Sequence, residues 1–196
     1  MRPKSILMVL AFFLSMTARA DEFQVTEKME RSRLSLLSQF GSMTLGGQSL
    51  TTQGIQIQYG YSVFEKLQLE GFIATALSLG NSEGLSSTFT GLGLYAFYPL
   101  LGRNIQTHKQ LLLNSKSIYS EVSSSSILLL VGAGLDNYML NGSKGIYSST
   151  GAGVEASCLF PIWGYTGRAN LKYTNLEAGG KAVEMMFADL GLSFLF

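Results

Sequence analysis

Hydrophobic and polar side chains alternate with period two over most of the chain beyond residue 33. The clearest stretch is GIQIQYGYS (54–62). Ile55, Ile57, Tyr59 and Tyr61 fall on one face, and Gln56, Gln58, Gly60 and Ser62 fall on the other. A short turn at residues 64–66 leads into LQLEGFIATAL (67–77), where Leu67, Leu69, Ile73 and Leu77 oppose Gln68, Glu70, Phe72 and Ala74. Such alternation marks a strand with two unlike faces, and two strands across a tight turn make a hairpin. The same pattern predicts eight strands, at roughly 33–44, 53–63, 67–78, 88–98, 126–140, 149–160, 164–174 and 184–196. Their lengths are close to the roughly 9–11 tilted residues with which a β-strand crosses a bilayer.

The connections alternate in kind. Residues 64–66 and 161–163 are tight turns, whereas 45–52, 79–87, 141–148 and 175–183 are longer and carry Gly, Asn and Ser. Short turns at one end and longer loops at the other predict an all-β, eight-stranded antiparallel transmembrane β-barrel. Its periplasmic turns are short, both termini lie on that side, and its extracellular loops are longer. Residues 100–125 break the rule as one long connection on the short-turn side, holding either a small helix around 108–118 or an extra hairpin. The recurring Gly-x-Gly pairs in TGLGLYA (90–96), GAGL (132–135) and TGAGVEA (150–156) precede no helix, so they are not phosphate loops. On a strand, glycines two apart share a face and leave room for large side chains across a narrow lumen.

Which face points outward separates a membrane barrel from a soluble one, because only the membrane barrel turns its apolar face out. Glu70, Asp136, Glu155, Arg168, Lys172 and Asp189 share the polar face with Gln56, Gln58, Gln68 and Asn170, while Ile127, Leu129, Val131, Ala133 and Leu135 line the opposite face. An eight-stranded lumen is just wide enough to be filled by side chains. The six charged residues are therefore expected to form an ion-pair network inside it. Pairing across 161–163 sets Glu155 almost opposite Arg168, and pairing across 175–183 sets Arg168 almost opposite Asp189. A stabilising plug is preferred over a gate or proton path, because buried charges persist mainly when paired. A water-exposed polar face on a β-sandwich is the alternative. Against it, Tyr61, Tyr98, Phe160, Phe194 and Phe196 fall on the apolar face near the short-turn ends, beside Trp163 and Tyr165. That is the arrangement of an interfacial aromatic girdle.

Residues 1–20 have the layout of a secretory signal peptide: Arg2 and Lys4, the apolar run ILMVLAFFLSM (6–16), then Ala18-Arg19-Ala20 before Asp21. Residues 21–196 are then the barrel domain. Loss of Arg2, Lys4 and Arg19 would take the net charge from +1 to about −2, which suggests neither nucleic acid nor an anionic membrane surface as a partner. Cys158 is the only cysteine, so no internal disulfide forms, and its position on the lipid-facing side suits a small apolar residue.

The stretch DLGLSFLF (189–196) carries apolar residues at Leu190, Leu192, Phe194 and Phe196. It resembles the C-terminal strand of bacterial outer-membrane barrels, and the chain resembles the small eight-stranded OmpA-barrel and OmpX-like proteins. The resemblance implies that these four residues are an assembly signal read by the barrel-assembly machinery, and that the last strand closes against the first. It also implies location in the bacterial outer membrane, with its lipids and lipopolysaccharide as surroundings, and a monomer. Enzymes among small barrels use a histidine near the membrane or the outer rim. Here His108, the only histidine, falls in the long connection without a Ser or Asp at recognisable spacing, and it reads as a solvated loop residue. One His and one Cys support no metal site, and no cofactor is expected. The sequence thus reads as a non-enzymatic barrel acting through its loops. The alternative is a narrow channel or carrier for small or hydrophobic solutes, as in OmpW-like barrels; a lipid-modifying enzyme is third.

Overall fold

Alternating runs bury one face of each strand and need hydrogen-bonding neighbours on both edges, a demand that a closed ring of strands meets without leaving an edge. The computed structural model describes residues 23–45, 48–79, 88–113, 116–123, 127–142, 145–178 and 180–196. It contains β1 (Phe23–Glu30), β2 (Ser32–Leu45), β3 (Gln48–Phe64), β4 (Leu67–Ser78), β5 (Thr88–Leu101) and β6 (Gln106–Leu113). These are followed by β7 (Lys116–Ser123), β8 (Leu128–Gly142), β9 (Gly145–Ile162), β10 (Tyr165–Ala178) and β11 (Lys181–Leu195). Eight of them close an antiparallel barrel in the order β10-β11-β2-β3-β4-β5-β8-β9, with β9 returning to β10. The seam between β11 and β2 ends in a reciprocal pair: the Ser32 amide donates to the Phe196 carbonyl (3.0 Å), and the Phe196 amide donates to the Ser32 carbonyl (2.9 Å).

The chain divides into two compact units, and the barrel belongs to the one made of residues 29–106 and 124–196. In the other unit the described residues form a three-stranded sheet in the order β1-β6-β7. The long connection therefore holds an antiparallel hairpin, β6–β7, and not a small helix. Lys109 on β6 lies 3.9 Å from Glu27 on β1, an exposed pair. The period-two reading does not include β1.

The barrel strands run 12 to 18 residues; β4 keeps the expected bounds of 67–78, and each of the others extends past its expected boundary at one end or both. β2 ends at Leu45 and β3 begins at Gln48; β8 ends at Gly142 and β9 begins at Gly145; β10 ends at Ala178 and β11 begins at Lys181. Three of the connections expected to be long thus span two residues each, and only 79–87 keeps its expected length. At the opposite end, Trp163 (φ 46°) and Gly164 (φ 84°) make a two-residue turn with both residues left-handed. Hairpins favour that geometry because its twist matches the strands.

Through the middle of the barrel the outward face is apolar, with Leu36, Ile57, Ile73, Leu94, Leu171 and Leu190 all exposed. The inward face there combines charged and amide side chains with aromatic rings. Towards the ends of the strands far from the Trp163 turn, the relation inverts along β9, β10, β11, β2 and β3. Thr51, Gln53, Thr150, Asn175, Glu177 and Glu184 point outward, while Met43, Leu50, Leu176, Val183 and Met185 are buried inside. The strands stay regular across the inversion, so it is a change of chemistry and not of register.

Candidate functional site

The lumen is where this chain concentrates its charge. Period two on β10 aims Arg168, Asn170, Lys172 and Thr174 inward. Arg168 is 1% exposed. Its guanidinium grips Glu70 on β4 with both nitrogens, Nη2 to Oε2 at 2.7 Å and Nη1 to Oε1 at 3.1 Å. This is the two-point fork that makes arginine–carboxylate pairs strong and directional. Nε donates to Asn170 (2.9 Å), Nη1 reaches Ser35 (3.3 Å), and Nη2 stands 3.5 Å from Glu155. Gln68 donates to Glu70 as well. Since β10 and β4 stand half-way round the ring from each other, the Arg168–Glu70 pair crosses the full bore.

A chain of amides continues from this centre. Gln58 donates to Glu155 (3.3 Å) and accepts from Asn170 (3.2 Å) and Gln56 (3.3 Å). Gln56 in turn accepts from Gln39 (3.2 Å) and from the Lys172 ammonium (3.4 Å). Lys172 Nζ also lies 3.6 Å above the centre of the Phe72 ring, with Phe187 at 5.3 Å and Tyr138 at 5.7 Å. Aromatic faces partly compensate a desolvated cation. Asp136 accepts from Tyr95 (2.7 Å) and from Thr174. Asp189 faces the lumen beside its cross-strand neighbours Asn170 and Gln39, with neither oxygen in a hydrogen bond of ordinary geometry.

The register differs from the one expected across both connections. Lys172, not Arg168, is the direct partner of Glu155, and Asn170, not Arg168, is the direct partner of Asp189. The β9–β10 turn centres on Trp163-Gly164, nearer the C-terminus than residues 161–163, and this slides every pair. Glu70, the main partner of Arg168, was recognisable as a lumen residue, but a contact across the bore leaves no trace in local spacing. The aromatic ring around Lys172 was foreshadowed only by Phe72 on the polar face of its strand.

Large side chains fill the remaining lumen where glycine makes room. A Cβ on Gly132 would stand 2.6 Å from the Phe97 ring, and one on Gly91 would collide with Tyr138. Tyr95 stacks on Phe97 (5.9 Å), and Tyr138 contacts Phe89 (5.8 Å) and Phe187 (6.1 Å). On the outer surface Leu190, Leu192, Phe194 and Phe196 all face away from the lumen, and Tyr59 meets Phe196 at 6.4 Å across the seam. Tyr61, Tyr98, Tyr165 and the 94%-exposed Trp163 lie towards the same end. Cys158 is half-buried on β9, opposite Ala169. His108 is not a loop residue: it sits on β6, half-buried, with Val122 as its cross-strand partner.

No protein-family model matches the sequence, and no curated protein matches it. Among solved structures, Neisserial surface protein A is similar over 86% of this chain and 99% of its own, at 12% identity and a TM-score of 0.63. The N-terminal β-barrel domain of Pseudomonas aeruginosa OprF matches 84% of this chain and 99% of its own, at 14% identity and a TM-score of 0.47. An apolar exterior, a charged interior and a closed antiparallel ring give this chain the fold of the eight-stranded outer-membrane β-barrels.

Proposed function

We propose that this protein is a non-enzymatic, non-conducting barrel of the bacterial outer membrane, which anchors in the envelope those of its segments that lie outside the barrel wall. One observation carries the reading: Arg168 and Glu70 meet from opposite walls at 2.7 Å, and the amide chain and aromatic rings occupy the bore on either side. A side-chain bridge across the diameter leaves no continuous water path for a solute. The connection at 79–87 and the β1-β6-β7 sheet would then make its contacts, with the short hairpins contributing little. Residues 1–20 act as the export signal. Outer-membrane lipid and lipopolysaccharide surround the apolar belt. The series Leu190, Leu192, Phe194 and Phe196 on the closing strand is the feature that the barrel-assembly machinery reads. With every barrel edge paired, a monomer is sufficient.

Planar-bilayer recording tests the sealed lumen. Purified protein is expected to give no conductance steps, and reproducible unitary steps from the wild type would replace this reading with the channel. Lipid A mass spectra from cells with and without the protein should be identical; a new acyl or phosphate modification would point to an enzyme. Outer-membrane fractions should contain a species that migrates differently on gels when unboiled.

A further inference from the structure

At the end of the barrel that carries the Trp163 turn, the lumen opens into a cavity of about 330 Å³. That volume is at the lower end of the range for small-molecule sites, about 300–1,000 Å³. Two arginines line it, Arg33 from β2 and Arg103 from the segment following β5, and no carboxylate does. Arg33 is only 7% exposed, and its Nη1 has no hydrogen-bond partner among the described residues. A buried guanidinium nitrogen without an acceptor is costly, so such an atom marks a place where an acceptor is missing. The nearby carboxylate that could serve, Glu70, is already held by both arms of Arg168. Ser193 lies on the same wall; its oxygen accepts from Ser35 (3.0 Å), leaving its own proton to donate elsewhere. Leu128, Leu159 and Leu195 supply an apolar side to the same cavity.

We propose that this inner mouth is a binding site for a small amphiphilic anion, a carboxylate or phosphate group carried on a short apolar body. The anionic head would take the unpartnered Arg33 nitrogen and the Ser193 hydroxyl, with Arg103 supplying a second positive charge at the entrance. The apolar body would lie on the three leucines. The site is a blind pocket, because the Arg168–Glu70 bridge closes the bore beyond it. It therefore stands independently of whether the barrel acts through its outer connections. The anion could arrive as a free amphiphile or as the phosphate of an anionic phospholipid in the adjoining leaflet.

The test is calorimetric titration of octanoate into the full chain, folded in an uncharged maltoside detergent, with octanol and inorganic phosphate as comparison probes. Octanoate should bind saturably, and both comparison probes should bind more weakly. Arg33→Gln should weaken octanoate about tenfold or more, the worth of one charge-assisted hydrogen bond. Arg33→Lys should retain part of the affinity. Because Arg33 is buried, each variant is first checked for the folded, heat-modifiable form. Arg103→Gln, on an exposed residue, carries the same test if Arg33→Gln does not fold, and it should weaken octanoate severalfold. Equal affinity in the wild type and the folded variants, octanol binding as well as octanoate, or an unsaturable signal would each overturn the site. Repeating the titration in phosphatidylglycerol and phosphatidylcholine nanodiscs identifies the source. Loss of octanoate binding only in phosphatidylglycerol supports the site with a lipid headgroup in it, and retention in both supports it with a free amphiphile.

Discussion

Arg168 illustrates how one side chain can tie opposite walls of a barrel together while also making its interior vulnerable. Its value lies less in attraction than in the cost of its absence. Truncation to alanine would strand Glu70 and weaken the hold on Glu155 in a space where water cannot replace the lost donors. Breaking a buried pair by removing one partner costs roughly 3–5 kcal/mol, and that is the loss expected for Arg168→Ala in a urea refolding titration. Trp163, the only tryptophan, supplies the fluorescence signal. Replacing both partners together, as Arg168→Met with Glu70→Leu, should recover much of the loss. A double-mutant cycle should find strong coupling between Arg168 and Glu70 and weak coupling between Arg168 and Asp189. Comparable coupling for the two pairs would contradict the observed geometry. Steric fit is tested at Gly132, where Gly132→Val forces a side chain into the Phe97 ring and should cost about 1–3 kcal/mol. A variant as stable as the wild type would mean that Phe97 has room to move.

The strands divide by how plainly they can be read. Where one face is apolar and the other polar, as in Gly54–Ser62, the sequence identifies both the strand and its orientation, and all eight barrel strands were legible in this way. Their far ends were not. There Leu176 and Val183 point inward while Glu177 and Glu184 point outward, so the pattern changes sign and looks like the start of a loop. β1, FQVTEKME, escapes for another reason: Glu27 puts a charge between Val25 and Met29 on the otherwise apolar face, which leaves too short a run of alternation to register. QTHKQLLL on β6 groups its leucines instead of alternating them, which left helix and hairpin equally open. The lumen charges were visible as a set, but their partners were not, since pairing across a bore depends on closure and shear more than on neighbours in sequence. The assignment of faces makes a prediction that depends on depth. Leu171→Arg, in the apolar belt of β10, should cost about 2–4 kcal/mol, while Gln53→Arg, beyond the belt on β3, should cost about 0–1 kcal/mol. Equal penalties in a refolding titration would place both positions at the same depth and refute the inversion.

At the scale of the whole barrel, closure depends on the seam between β11 and β2, because only there must residues at opposite ends of the chain find each other. Ser32 and Phe196 form the last hydrogen-bonded pair, and the Phe196 ring reaches Tyr59 on the strand beyond. Phe196→Asp puts a charge at this corner on the outward face. It should lower the amount of heat-modifiable barrel in outer-membrane fractions, while Ser38→Ala, also outward on β2 but away from that corner, should leave the amount unchanged. Wild-type levels of the Phe196→Asp protein would remove this residue from the assembly signal.

The inversion of faces along β9, β10, β11, β2 and β3 amounts to a waterline drawn on the hull. Pressed deeper, the barrel would drag Gln53, Asn175 and Glu184 into hydrocarbon; lifted, it would wet Ile55, Tyr173 and Met186. Either displacement meets a restoring force, so the molecule rides at one draught without a partner to hold it there. Repainting the line, with Gln53→Leu and Glu184→Leu together, should let the barrel settle lower while remaining folded. Brominated lipids would then quench Trp163, at the keel, by a different amount.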